Sequence, residues 1–361
     1  MKLFKSLLVA PATLGLLAPL SATANEVTIN DFNAAEEIAV TNSRVDGLEA
    51  RLNNVEAGSF SETTTASFSV DTVLGSIDGD TTNEATTFDY QFNIGLSTSF
   101  TGEDSLDIAI DNGNPSQSPL GTKMGFDGDT DNSPLKVDGV TYSFPVGGAS
   151  MVVGDSTDLS VAFTGACTYS AFTDATPDDC GTGNSMGASG KGVTAAIGYE
   201  FDSGFSLAGG ITSAQSEILG DEADAFGINA AYSAEDYGVA VAYISDDGGT
   251  GGETTTWGLN GYYTFDLASL SVGYETQETG GTDSTGYFVG LSFPEVGPGS
   301  VNIAAATTGL FADDATETLI YEASYSYPVN DAMTITPGVF IEEVDGGDDL
   351  TGVAVKTSFS F

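Results

Sequence analysis

From Gly58 to the C-terminus, apolar side chains recur at every second position. In Phe88-Asp-Tyr90-Gln-Phe92-Asn-Ile94-Gly-Leu96 each even position is apolar and each odd one is polar or small. Successive side chains of a strand point to opposite faces, so such a stretch predicts a strand with one apolar and one polar face. Sixteen segments of this kind can be picked out, centred near residues 68, 92, 108, 142, 152, 197, 208, 229, 241, 260, 272, 289, 304, 322, 338 and 356; the alternation is faintest near 108 and 152. Most run about nine to eleven residues, the length a tilted membrane-crossing strand needs. Gly, Ser, Thr and Ala dominate the positions opposite the apolar face.

The connections sharpen this into an architecture. Short turns are expected at Thr101–Asp104, Pro145–Gly148, Asp202–Gly204, Ser233–Asp236, Asp266–Ala268, Pro294–Gly299 and Pro328–Asp331. They alternate with longer Asp-, Gly- and Thr-rich connections at 73–86, 111–135, 155–190, 213–222, 245–253, 276–284, 308–316 and 343–350. A soluble sandwich has no reason to keep that order, whereas a membrane barrel carries tight turns on one side and long loops on the other. Aromatic residues gather on the short-turn side, among them Phe100, Phe144, Phe201, Phe205, Tyr237, Phe265 and Phe361, as a girdle at one membrane interface would. The expectation is an all-β chain: a transmembrane antiparallel β-barrel of about sixteen strands over residues 58–361.

The chain before Gly58 follows different rules. Lys2 and Lys5 precede an apolar run from Leu7 to Leu20, and Ala22-Thr23-Ala24 forms an A-x-A cleavage site, so residues 1–24 read as a secretory signal peptide. Within residues 25–57 the apolar period changes to heptads. Val45, Leu48, Leu52 and Val55 form an a/d stripe, which predicts a short N-terminal coiled-coil helix on the periplasmic side that either joins subunits or packs as one amphipathic helix.

Charge then limits the function. From Gly58 onward there are 45 acidic residues and four basic ones, Lys123, Lys136, Lys191 and Lys356. Such a balance excludes nucleic acid as a partner, since phosphate backbones are held by Lys and Arg. The chain has no histidine, which removes Ser-His-Asp triads and His-ligated metals; no enzymatic activity is expected. Cys167 and Cys180 are the only cysteines, and in an exported protein they most simply form one disulfide.

The final strand, Thr351–Phe361, with Val353, Val355, Thr357, Phe359 and Phe361 on one face, resembles the C-terminal strand of Gram-negative outer-membrane barrels, which ends in Phe and is read by the barrel-insertion machinery. Together with the signal peptide and strand pattern, the chain resembles a bacterial outer-membrane porin. The opening Met1–Pro19 and the stretch Arg44-Val-Asp-Gly-Leu-Glu-Ala-Arg-Leu52 are similar to those of marine cyanobacterial porins, although residues 25–57 are too short for the surface-layer-homology domain those porins commonly carry. The resemblance implies an outer-membrane location among lipids, passive diffusion of small hydrophilic solutes and ions, a homotrimer, and no cofactor. It also implies that the loop at 155–190 folds inward as a constriction.

Candidate residues follow from these assignments. Asp174, Asp178 and Asp179 lie in that loop beside the disulfide, and Asp107 and Asp111 share the inner parity of their strand. Asp89, Glu200, Glu275, Glu322 and Lys356 also fall on inner positions, as a wetted wall. Excess carboxylate concentrates cations and repels anions, so cation selectivity is expected. Asp127, Asp129 and Asp131 alternate as calcium-binding oxygen ligands do, without flanking helices and with Asn132 where the usual Gly would stand.

Overall fold

The computed structural model describes residues 64–79, 85–114, 119–126, 135–175, 178–187, 192–215, 218, 224–248 and 252–361. The signal peptide, the Val45-Leu48-Leu52-Val55 stripe, the Asp127-Asp129-Asp131 run and Lys191 lie outside these residues. Strands β1 (Thr64–Asp78), β2 (Thr87–Thr98), β3 (Ser105–Gly113), β4 (Lys136–Val146), β5 (Ala149–Thr157), β6 (Gly192–Glu200), β7 (Phe205–Ser213) and β8 (Asp224–Ser233) are followed by β9 (Tyr237–Asp246), β10 (Thr254–Thr264), β11 (Ser269–Thr279), β12 (Thr282–Val296) and β13 (Gly299–Thr307). A two-residue strand, β14 (Phe311–Ala312), precedes β15 (Leu319–Asn330), β16 (Met333–Glu342) and β17 (Leu350–Ser360).

Sixteen of these strands pair antiparallel with their sequence neighbours, and β17 returns to pair with β1, closing the sheet into a barrel; β14 only extends the pairing above β12. Closure removes the unpaired edges that an open sheet would present. It is carried to the last residue: the Phe361 N–H donates to the Phe68 carbonyl at 3.0 Å, the Phe68 N–H donates to the Phe361 carbonyl at 2.8 Å, and the two rings stack 5.9 Å apart. All sixteen expected segments are strands.

The alternation sorts the two faces. Leu74, Phe88, Ile228, Trp257, Leu259, Val289 and Val353 point outward and are exposed, whereas the intervening positions face the lumen. Aromatic contacts mark both rims. Phe205 meets Tyr232 at 4.6 Å, Tyr232 meets Tyr237, and Tyr263 meets Phe265 on the short-turn side; Tyr243 meets Trp257 on the other. No helix among the described residues is long and apolar enough to cross a membrane.

One connection departs from expectation. The segment 276–284 is no long loop, because β11 and β12 run on to a two-residue turn at Gly280-Gly281, with φ of 58° and 85°. Both central residues need positive φ in a type I′ turn, which Gly supplies without a steric cost.

Candidate functional site

Two segments from the long-loop rim enter the barrel. The first spans the connection after β5. Asp158 caps a short 3-10 turn at Leu159–Ala162, and the chain then crosses the lumen in extended form to Phe172. It turns back through Asp178–Gly181 into helix α1 (Gly183–Met186). Cys167 and Cys180 are disulfide-bonded, with Cα atoms 5.8 Å apart, and so join the outgoing and returning strands of the loop.

An extended segment has no internal hydrogen bonds, so its backbone must find partners elsewhere. Here the barrel wall supplies them. Asn229 on β8 accepts from the Thr164 N–H at 2.9 Å and donates to the Thr164 carbonyl at 3.2 Å. Asn260 on β10 accepts from the Ala166 N–H at 2.8 Å and donates to the Thr182 hydroxyl at 2.9 Å. Ser269 and Ser271 on β11 hold Thr168.

Two carboxylates complete the row. Glu322 on β15, 3% exposed, accepts four hydrogen bonds: from the Tyr169 hydroxyl at 2.9 Å, the Phe172 N–H at 2.8 Å, the Thr173 N–H at 3.0 Å and the Thr173 hydroxyl at 2.6 Å. Burial and the adjacent Glu322 charge raise the pKa of Tyr169, so its hydroxyl stays a donor. Glu275 on β11, 1% exposed, accepts from Ser185 at 2.6 Å and Asn184 at 2.8 Å. The loop also needs close approach to the wall. A Cβ at Gly273 would stand 1.6 Å from the Cys180 carbonyl oxygen, and only Gly leaves that space.

The second segment comes from the connection after β3. Helix α2 (Pro119–Lys123) is short, and its Leu120, with Met124 and Phe126 beyond it, is buried against inward residues Val73 and Ile77 of β1, Phe340 of β16 and Ala354 of β17. Phe172 and Phe288 belong to the same apolar cluster.

The sequence-derived acids fall in two places. Asp174, Asp178 and Asp179 all line one cleft of about 360 Å³, together with Glu275, Asn184 and the Thr308–Leu310 segment that follows β13. All three are exposed. Although exposed at its surface, Asp179 is partly desolvated by the surrounding loop, and this, then the Asp178 and Asp158 charges, raises its pKa. Asp107 and Asp111 are not part of this group. They lie on the inner face of β3, half-buried, with Asp107 accepting from the Ser105 hydroxyl at 2.9 Å and Asp111 opposite Lys136 in register. Asp89, Glu275 and Glu322 do face inward, but they are buried and therefore no wetted wall; Glu200 is exposed at the end of β6. Parity reports which face a residue occupies, not what covers it.

The anchoring asparagines and the second inward segment had weak signals. Asn229 is a large polar residue on a strand face otherwise lined by Gly, Ala and Ser, and Asn260 one on a face of Thr, Gly and Tyr. Leu120, Met124 and Phe126 are isolated apolar residues in a long polar connection, and that oddity was the only trace.

No family model matches the chain. One curated relative, the uncharacterized protein alr4550 of Nostoc sp., is 34% identical over 166 residues, which are 41% of this chain and 28% of that protein. Among solved structures, OprB of Pseudomonas putida superposes with a TM-score of 0.66 at 12% identity, covering 83% of this chain and 94% of its own. The OmpT outer membrane protein of Vibrio cholerae, lacking its loop L8, gives 0.58 at 9%, covering 83% and 100%. A mutant porin of Rhodopseudomonas blastica gives 0.54 at 13%, covering 82% and 100%. At these identities the likeness is one of fold: the chain has the sixteen-stranded barrel fold of outer-membrane porins.

Proposed function

We propose that this chain is an outer-membrane porin, a passive channel for small hydrophilic solutes that prefers cations. The observation that carries the reading is a lumen whose wall is covered on one side and water-accessible on the other. Inner residues Ser69 and Asp71 of β1, Gln91 and Asn93 of β2, Asp107 and Asp111 of β3 and Thr141 of β4 are half-exposed. An aqueous path bordered by these groups can pass hydrated solutes without any reaction.

Cation preference rests on the imbalance of charge. Of the basic residues beyond Gly58, Lys123 is ion-paired with Glu342, and Lys356 lies 5.9 Å from the centre of the Phe126 ring. Carboxylates of the Asp174–Asp178–Asp179 cleft and of β3 then dominate the field inside a low-dielectric wall. The raised pKa of Asp179 gives a pH signature: as pH falls it is neutralised before an ordinary carboxylate, so the preference should begin to decline above the usual carboxylate range. The N-terminal stripe at Val45, Leu48, Leu52 and Val55 would join three such barrels, and Phe361 would present the closing strand to the insertion machinery.

Planar-bilayer recording of the purified protein tests the reading. Discrete ohmic steps, with a reversal potential in a KCl gradient on the potassium side, are expected. Absence of steps would leave a structural barrel closed by its two inward segments, and a chloride-side potential would overturn the selectivity.

A further inference from the structure

We infer that residues 119–126 form a second constriction element, which narrows the pore jointly with the disulfide-bonded loop and carries a lysine into it; the inference rests on the porin reading. The placement is fixed by apolar burial inside the lumen. Leu120 is 1%, Met124 4% and Phe126 6% exposed, and their partners Val73, Ile77, Ile320, Phe340 and Ala354 all occupy inward positions of the barrel wall. A segment lying on the rim outside could not reach these residues. An ordinary polar surface loop would not bury three large apolar side chains in a space otherwise open to water.

The two inward elements are joined to each other. The Asp174 N–H donates to the Lys123 carbonyl at 2.9 Å, and a Cβ at Gly125, whose φ is 65°, would stand 2.2 Å from the Asp174 side chain. Phe172 and Phe126 belong to one apolar cluster. The segment is also tied to the wall by charge, the Lys123 ammonium lying 2.5 Å from a Glu342 carboxylate oxygen on β16.

Together the two elements cover the lumen from β5 round to the long-loop half of β1, with Asp89 near the long-loop end of β2 also buried, which leaves β3, β4 and the rest of β2 as the free side. The open cross-section is therefore set by both. Lys123 keeps about a quarter of its side chain exposed, so its charge acts on the aqueous path as well as on Glu342. Removing that charge frees a carboxylate at the constriction.

Single-channel recording tests this with two variants. Deleting residues 119–126 is expected to raise conductance by roughly 1.5-fold or more, since a pore's conductance follows its narrowest section. As a check that does not depend on refolding a shortened loop, Lys123→Gln is expected to shift the reversal potential further to the potassium side, most at low salt. A wild-type channel whose conductance is unchanged by the deletion would overturn the inference while leaving the porin reading intact. A Lys123→Gln channel with unaltered selectivity would remove the lysine from the constriction. A wild-type protein that forms no channel would instead defeat the porin reading itself.

Discussion

The lumen has two walls built from the same kind of strand, and they differ in almost everything else. From β8 to β15 the inner positions are buried: Asn229, Asn260, Ser271, Glu275, Asn302, Glu322 and Ser324 are each under a tenth exposed. From β2 to β4 the inner positions Gln91, Asn93, Asp107, Asp111 and Thr141 are half-exposed. A polar residue on the first wall is held to one geometry by the loop's backbone. Polar residues on the second are half-exposed and bond to neighbouring side chains of the wall, as Gln91 does to Asn93 and Ser105 to Asp107. Substitutions on the covered wall should therefore change structure first and conduction as a consequence. Those on the bare wall should change conduction alone.

The largest effect is expected at Glu322. Its replacement by Ala strands the Phe172 and Thr173 amides in a dry site, and each buried donor without a partner costs about 1–3 kcal/mol. Glu322→Ala should make release of the loop easier by about 4 kcal/mol in total, measured by native-state proteolysis between residues 164 and 187. Asp107→Asn on the bare wall should change the same quantity by under about 0.5 kcal/mol while moving the reversal potential toward zero. If the two variants release the loop equally, the distinction between the walls fails.

The disulfide comes next. Cys167 and Cys180 are 13 residues apart, and closing a loop of that size is worth about 3 kcal/mol in the chain-entropy account. Because Asn229, Asn260 and both buried glutamates still hold the loop, the Cys167→Ser, Cys180→Ser double variant should keep it inside the lumen but increase current noise. A noise spectrum identical to wild type would show that the side-chain anchors alone suffice.

The smallest effect expected is at the short-turn rim, away from both walls. Asp104 accepts from the Thr101 and Phe100 amides and from Tyr142, Thr101 and Ser99 hydroxyls, and these bonds, the Thr101 amide foremost, hold its carboxyl below the usual carboxylate range. A depressed folded-state pKa contributes stability above the unfolded value, about 3.9, and loses it as pH falls through that value toward the folded one. Thermal stability should accordingly fall on acidification below about pH 4, and Asp104→Asn should flatten that dependence. An equally steep dependence in the variant would show that other carboxylates carry it.

The barrel was legible because membrane strands repeat one rule: apolar outside, small or polar inside. The rule is local, so each of the sixteen segments could be read by itself. It stopped being informative where β11 and β12 rise past the apolar belt. There Glu278, Gly280, Gly281 and Asp283 are polar on both faces, and a strand hairpin looks like a loop. The contents of the lumen were less legible for a different reason. Inward parity of Glu275 and Glu322 follows from neighbours two residues away, but their burial depends on a loop 90 to 153 residues distant in sequence. The grouping of Asp174, Asp178 and Asp179 in one cleft depends likewise on where the loop turns. No periodicity encodes where Leu120, Met124 and Phe126 dock, because their partners are spread over β1, β15, β16 and β17.

Thiol accessibility in the membrane-embedded protein tests the division of the lumen most directly. The described cysteines are both in the disulfide, so an introduced cysteine reports on its own position. Asn93→Cys and Thr141→Cys on the bare wall, and Ala242→Cys and Ser324→Cys on the covered wall, would each be exposed to a charged, water-soluble thiol reagent during current recording. The account predicts rapid modification and a fall in current at positions 93 and 141, with neither at 242 and 324. Equal modification of all four, or block only at 242 and 324, would contradict it.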